Sequence, residues 1–151
     1  MKITSLDEVE KIKPDMERAE GIYKQVPISG NDGAPAFSFR VFTIEANGHS
    51  PCHRHPFEHL NYIIEGHGAI VTESGEEHDV KKGDFAMILP DEKHQYKNMS
   101  ASEPFVMICA VPKEYEQTGQ DLEAKRYAND KRIHPRGFKR RGKIHIGLLH
   151  A

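Results

Sequence analysis

Three histidines fall within seven positions of this chain, at a spacing typical of metal ligands. His53 and His55 are separated by one residue, and His59 follows four positions later. On an extended strand, residues i and i+2 project to the same face, so His53 and His55 present two imidazoles together. Pro56 then interrupts the strand, and His59 opens the next apolar run, where it can return to the same point. The spacing predicts a chelating pair with a third ligand beside it.

A fourth histidine, His94, opens a later strand just past the Pro90-Asp91 turn and is the natural ligand from across the fold. Neutral imidazole suits manganese, iron, zinc, nickel, cobalt and copper, so we predict one divalent transition metal per chain. Four neutral ligands leave the ion its full charge, which favours anionic partners, and an octahedral ion would keep open positions. The remaining histidines lack such company and are predicted to face solvent: His49, His67, His78, His134, His145 and His150.

Short β-rich segments with no helix between them must carry these side chains. The alternation of apolar and polar residues predicts strands over residues 23–28, 37–44, 60–65, 69–72, 77–80, 85–89, 94–97 and 105–111. Glycine, proline and aspartate turns separate them. Many short strands joined by such turns predict an all-β sandwich or barrel.

Two helices are predicted outside the strands. Ser5 and Glu8 form a capping-box pattern that predicts a short helix over residues 6–12, ended by Pro14, and a second helix is predicted over residues 120–130. The segment 37–44 is apolar on both faces. One face can fill the barrel, so the other predicts a packing partner such as a second subunit.

Composition limits the class of protein. A chain of 151 residues, 37% of them hydrophobic, can bury one core, and no apolar run is long enough to span a membrane. Two cysteines are too few for a disulfide scaffold, so we expect a cytoplasmic protein. Residues 1–124 carry 12 Lys and Arg against 22 Asp and Glu, whereas residues 125–151 carry 9 against 1. That basic tail has no nucleic-acid-reading motif, so we expect a solvated extension and no nucleic-acid partner.

Taken together, the histidines and their flanking residues resemble the two motifs of the cupin superfamily. The first motif corresponds to Gly48, His53, His55, His59 and Gly66, and the second to Gly83, Pro90, His94 and Asn98. His59 stands where most cupins have a glutamate ligand, which resembles a subgroup of small cupins with four histidines. Glu58 is the alternative ligand, but both residues cannot face the metal, and the spacing to Gly66 selects His59. Glu92 departs from the glycine of the second motif.

The resemblance implies a jelly-roll barrel of the double-stranded β-helix type, with a short N-terminal helix and a C-terminal extension. The predicted divisions are an N-terminal extension over residues 1–20, the barrel over 21–112 and the C-terminal extension over 113–151. It also implies a homodimer and a metal site deep in the barrel, lined by inward residues of neighbouring strands.

Five residues are predicted to line that site: Arg40, Asn61, Tyr96, Met107 and Cys109. Arg40 could orient an anionic ligand by bidentate hydrogen bonds, or it could lie on the outer surface. Met107 and Cys109 share a strand face, and Cys109 could equally be a small buried hydrophobe. Asn61, Tyr96 and Tyr62 could position the ligands.

Two functions fit these features. The first is a metal-dependent enzyme, oxygenase-like or oxidoreductase-like, acting on a small oxygen-rich or anionic molecule, with an isomerase or lyase reaction also open. The second is a non-catalytic module in which the metal stabilises the barrel or helps to hold a small ligand. Open metal positions facing a pocket favour the enzyme, and a closed tetrahedral site favours the module.

Overall fold

The computed structural model describes residues 1–116, so the predicted helix over 120–130, the basic tail and its three histidines lie outside the described residues. Within that range the chain forms eight strands: β1 (Glu20–Ile28), β2 (Phe37–His49), β3 (His59–Glu65), β4 (His67–Thr72), β5 (Glu77–Lys81), β6 (Phe85–Ile88), β7 (His94–Asn98) and β8 (Phe105–Pro112). Short 3-10 turns lie at Leu6–Glu8, Gly30–Asp32 and Lys113–Tyr115.

The strands form one antiparallel sheet in the order β5-β4-β7-β2-β8-β3-β6, and β1, which lies off this path, pairs with β2. The sheet curls into a jelly-roll barrel, which confirms the predicted fold class. Its long central strand, β2, pairs with β8 over eight consecutive positions, from Phe37 opposite Pro112 to Ile44 opposite Phe105. Because β2 and β8 sit mid-sheet, side chains on their inner face are enclosed by neighbours on both sides.

The inner face carries the core and, at one end, the histidines. Ile44, Ile63, Phe105 and Met107 belong to one buried apolar cluster. On β8 the four alternate residues of one face are all buried, at 0–1% exposure: Phe105, Met107, Cys109 and Val111. Burying a large apolar side chain of this kind stabilises the folded state by roughly 1.5–3 kcal/mol. The site therefore lies against a well-packed apolar core.

The two faces of β2 differ more than the sequence suggested. Ser38 and Arg40 are almost fully buried, whereas Phe37 and Phe39 are 46% and 43% exposed. The strand therefore places its polar side chains inside and two aromatic rings outside. Polar groups belong inside a barrel when they line a site, and exposed rings favour a packing partner.

The predicted helix over residues 6–12 is wrong in extent. Glu8 accepts a hydrogen bond from the Ser5 N–H at 3.0 Å, as a capping box requires. The helical turn nevertheless stops at Glu8, because Ile12 is paired as a β-bridge with Lys24 of β1. Tertiary pairing thus overrides the local helix signal.

Among the described residues, no helix has the length and apolar character needed to cross a membrane.

The boundaries predicted at 20 and 112 stay predictions, although β1 begins at Glu20 and β8 ends at Pro112.

Candidate metal centre

Backbone pairing joins the two histidine-bearing segments. His53 and His94 form an isolated antiparallel bridge, in which each residue's N–H donates to the other's carbonyl oxygen at 2.9 Å. The Asp91 N–H also donates to the His55 carbonyl at 2.7 Å. His53 and His55 do not lie on a regular strand, which corrects that expectation, yet their rings still face the same region. The backbone bridge to His94 positions His53, in place of the regular strand that was expected.

Each of three imidazoles is oriented by a backbone carbonyl two residues away. Nδ1 of His53 lies 2.9 Å from the Pro51 oxygen, Nδ1 of His55 lies 2.6 Å from the Phe57 oxygen, and Nδ1 of His94 lies 2.8 Å from the Glu92 oxygen. A carbonyl can only accept, so each Nδ1 carries the proton. The opposite nitrogen, Nε2, is then left with a free lone pair, which is the tautomer a metal ligand needs.

These three residues, His53, His55 and His94, form what we call the three-histidine group. One ligand nitrogen from each can be chosen so that all lie within 4.8 Å of one another. The Nε2 atoms of His55 and His94 are buried and have no hydrogen-bond partner. Leaving a buried polar atom unpaired costs about 1–3 kcal/mol, so such atoms are expected to serve a ligand. The donor set and its unpaired nitrogens fit a divalent transition metal.

Burial keeps the imidazoles of His55, His59 and His94 neutral. It lowers the pKa of His55 and of His94 to about 4, against the partly opposing effect of the carbonyl bonds at Nδ1. Burial also holds the pKa of His59 well below its ordinary value, and the neighbouring Arg40 cation adds to that effect. Neutral rings at neutral pH are ready to bind a cation without first losing a proton.

His59 lies beside the three-histidine group but is bonded differently. Its ring centroid is 3.8 Å from that of His55 and 5.6 Å from that of His94. Its Nε2, however, lies 2.8 Å from Nη2 of Arg40, and its Nδ1 is buried without a hydrogen-bond partner. Its assignment as the fourth ligand stays a prediction. Glu58 is partly exposed and is not in the three-histidine group.

Arg40 is a buried side chain on the inner face of β2, 1% exposed, so its predicted alternative as a surface residue is excluded. It stands opposite Cys109 in the register, and Nη2 is 3.4 Å from Cys109 Sγ. Its Nη1 lies 3.7 Å from a carboxylate oxygen of Glu116, whose other oxygen is 3.0 Å from Nζ of Lys24. Both acid and lysine are almost fully buried, so the three charges form an interior network.

A cavity adjoins the histidines, and His53 and His59 form part of its wall. The five pocket residues named from the sequence line it as well: Arg40, Asn61, Tyr96, Met107 and Cys109. Strand pairing explains why these residues lie together, since Cys109 stands opposite Arg40 on one neighbouring strand and opposite Asn61 on the other. Tyr62, on the opposite face of β3, packs instead against Phe85 and does not line the cavity.

Asn61 and Tyr96 form a hydrogen-bonded pair in that wall. The Asn61 amide donates to the Tyr96 hydroxyl at 2.8 Å. Burial holds the pKa of Tyr96 well above its ordinary value, so the phenol keeps its proton. Because the oxygen already accepts from Asn61, its own O–H is left to donate elsewhere.

Three contributors to the site had no signal in the sequence. Glu116 follows the last strand in an ordinary polar stretch, yet it is the buried carboxylate of the charge network. Ser50 lines the cavity and its Oγ accepts from the Tyr96 N–H at 2.8 Å. Phe57 stacks between His55, at 4.2 Å, and Tyr115, at 4.0 Å. Of the three, Glu116 is the one that only the folded register brings to the site.

The other histidines of the described range lie apart from the site. The side chains of His67 and His78 are 51% and 55% exposed, as predicted, and their nearest ionic neighbours are surface carboxylates. His49 is only 35% exposed, because Gln95 and Ser50 contact its ring.

Comparisons with known proteins place this site in context. A family model described as "Cupin domain" matches residues 40–111. L-ectoine synthase of Mycolicibacterium gilvum (strain PYR-GCK) is 32% identical over 124 residues, which cover 81% of this chain and 89% of that protein.

Two solved structures share the fold. The polyketide cyclase RemF of Streptomyces resistomycificus superposes with a TM-score of 0.71 at 22% identity, over 83% of this chain and 93% of its own. A cupin 2 conserved barrel domain protein of Rhodopseudomonas palustris superposes with a TM-score of 0.61 at 26% identity, over 79% and 83%. Both are similar in the arrangement of the barrel.

Proposed function

This chain belongs to the cupin superfamily, and on that basis we propose that it is a metal-dependent enzyme acting on a small anionic, oxygen-rich molecule. We propose one divalent transition metal per chain. We assign its binding to the three-histidine group, with His59 as the fourth ligand of a four-histidine cupin.

The observation that carries this proposal is the state of the buried Nε2 atoms. Two of the three are unpaired inside the protein, and all three rings are turned by backbone carbonyls so that Nε2 is the free nitrogen. A structural role for the rings would leave unpaired nitrogens uncompensated. In metal sites generally, a hydrogen bond from the second ring nitrogen fixes the tautomer and the ring plane of a ligating histidine. The backbone carbonyls would have that role here.

The cavity residues suit an anionic ligand. Arg40 supplies a guanidinium fork that matches a carboxylate, and its charge is permanent. Tyr96 supplies a hydroxyl donor held in place by Asn61. Met107 contributes an apolar part of the wall. In such a pocket the few polar groups fix the orientation of the ligand. When bound, the ion would supply Lewis-acid activation of a coordinated oxygen and, with iron, manganese or copper, redox chemistry with oxygen.

For the reaction we propose an oxygenase-like or oxidoreductase-like conversion. A non-redox lyase or isomerase reaction is the second candidate, favoured because the 32% identical relative is named a synthase. The non-catalytic module remains the third reading. A metal enclosed by four protein ligands, with no exchangeable position, would support that module over either enzyme.

Metal content tests the proposal first. We expect purified protein to carry close to one transition metal per chain by elemental analysis, and His94→Gln to carry much less. His67→Gln is the matched control, since His67 is exposed and remote from the group. Full metal content in the His94 variant would refute the assignment.

Substrate class is tested next. Protein loaded separately with iron, manganese, copper and zinc is incubated with small carboxylates while oxygen is followed with an electrode. Oxygen uptake with the redox-active ions but not with zinc supports the oxidoreductase proposal. Turnover without oxygen uptake, equal with zinc, supports the non-redox candidate.

We also propose a homodimer in the cytoplasm, with no nucleic-acid or membrane partner. Support for the dimer comes from a row of apolar side chains on the outer face. Phe39 and Leu60 both stand opposite Ala110, and Leu60 stands opposite Met87, so the row crosses four strands. Phe39, Leu60 and Met87 are 43%, 41% and 60% exposed. Contiguous apolar surface of this kind favours a partner.

A further inference from the structure

We propose that Arg40 and His59 form an exchange pair. While no anion is bound, Arg40 holds Nε2 of His59 away from the metal, and an anion that engages the guanidinium releases Nε2 to become a metal ligand. This inference rests on the proposed metal centre and adds a regulatory step to it.

The hydrogen bond and the metal bond exclude each other. Arginine has five N–H donors, no acceptor and a permanent charge, so the 2.8 Å contact with Nη2 requires Nε2 of His59 to accept. Nε2 of a neutral imidazole has one lone pair. The same lone pair would bind the ion, so His59 can serve Arg40 or the metal, but not both through that atom.

Distance does not exclude His59 from the site. Its ring centroid lies 5.6 Å from that of His94, and the members of the three-histidine group are separated by 4.8–5.6 Å from each other. What differs is the direction in which its nitrogens are engaged. The proposal therefore requires a change in the orientation of the His59 ring and does not require a movement of β3.

His59 differs from the other three rings in having no hydrogen bond to a backbone carbonyl among the described residues. The other three are tied through Nδ1 to backbone carbonyls, whereas Nδ1 of His59 is buried and has no hydrogen-bond partner in the described part of the chain. Turning the ring breaks one hydrogen bond, the one to Arg40. A small carboxylate accepts two hydrogen bonds from a guanidinium and would compete for it directly.

Through Arg40, the anion proposed as substrate would thus change the set of protein ligands around the metal. Binding at Arg40 exchanges one hydrogen bond for one metal–nitrogen bond at His59, and no proton or electron is transferred. A ligand with that effect binds more tightly when metal is present, and metal binds more tightly when the ligand is present, by the same factor.

Cobalt(II) is the probe, because its visible absorption reports coordination number and geometry. We compare Co²⁺ titrations of wild type, Arg40→Met, His59→Gln and the double variant, with Lys24→Met as control. Lys24 is the other buried cation bonded to Glu116, whereas the hydrogen bond at Nε2 of His59 comes from Arg40. It therefore separates the loss of a positive charge from the release of His59.

We expect Arg40→Met to bind Co²⁺ more tightly than Lys24→Met, by on the order of tenfold, because Nε2 of His59 is then free to bind the ion. Its spectrum should show one added ligand, and that gain should vanish in the double variant. In wild type, acetate should produce the same spectral change, and His59→Gln should abolish it.

Three results would overturn the exchange pair while leaving the metal centre in place. They are an Arg40→Met spectrum that matches Lys24→Met, an acetate response that persists in His59→Gln, and an acetate titration that leaves the wild-type spectrum unchanged. If Arg40→Met does not fold, the comparison of wild type with His59→Gln still decides. Failure of wild type to bind Co²⁺ at all would instead refute the proposed metal centre.

Discussion

Replacing His94 with glutamine should reduce the pH dependence of the free energy of unfolding of the metal-free protein. The folded chain holds His55 and His94 neutral, with the pKa of each lowered to about 4 by burial. In the unfolded chain each returns to about 6.5. Between these values the unfolded state binds more protons than the folded state, so the free energy of unfolding rises with pH. The stabilising effect is fully present above about pH 6.5 and is lost as the pH falls toward 4.

The size of the effect follows from the same shift. One proton taken up on unfolding changes the free energy of unfolding by about 1.4 kcal/mol per pH unit. A shift from 6.5 to about 4 therefore corresponds to roughly 3 kcal/mol for each ring across the window. That is a large share of the stability of about 5–15 kcal/mol that is typical of a domain. His94→Gln removes one titrating ring and should lower the slope by about 1.4 kcal/mol per pH unit.

The assay is urea unfolding of chelator-treated protein, followed by circular dichroism at several pH values between about 4.5 and 7.5. His67→Gln is the control, because that exposed side chain should leave the slope unchanged. Parallel stability curves for wild type and His94→Gln would refute the claim that the rings are buried in neutral form. Loading wild type with zinc should steepen its curve, since protons and metal compete for the same nitrogens.

Three further predictions concern the barrel. Gly66→Ala should lower the free energy of unfolding by at least about 2 kcal/mol, because its Cβ would lie 2.1 Å from a facing carbonyl oxygen at a φ of 80°. Gly75→Ala, at a φ of 85° in open space, should cost only the strain of about 1 kcal/mol, and equal losses in urea titrations would contradict the clash. Glu116→Gln should destabilise by roughly 3–5 kcal/mol, since it leaves two buried cations without their carboxylate, whereas exposed Glu114→Gln should change little in the same titration. Met87→Glu should convert the predicted dimer to monomer in sedimentation velocity with unchanged circular dichroism, and a monomeric wild type would show that the dimer prediction is wrong.

The strands were predictable because their signals are local. Alternation and turn residues placed β8 at 105–111, and the structure has Phe105–Pro112. The same local reasoning failed at the N-terminus, where the capping box of Ser5 and Glu8 formed but a bridge from Ile12 to Lys24 ended the helix. A capping box indicates where a helix can begin. The length of that helix depends on what the following residues pair with.

The candidate ligands His53 and His55 were predictable for a similar reason, since their spacing within one short segment survives folding. The environment of those ligands was not. Whether Arg40 faced inward depended on the register of β2 against β8, a pairing between residues far apart in the chain. Glu116 and Ser50 had no pattern at all, because a single buried polar residue acquires its role only from the neighbours that the fold supplies.

This division between local and long-range determinants also separates the rigid part of the site from its adjustable part. Backbone carbonyls hold the three-histidine group, and such a carbonyl can leave its ring only if the chain itself moves. His59 is held by a side chain, and a guanidinium can exchange one acceptor for another at little cost when an anion arrives. In the proposed enzyme, a site that keeps its metal between turnovers and still responds to an anion would need both kinds of support. The pairing of Arg40 with His59 is therefore where differences in ligand response among proteins with the same four histidines should arise.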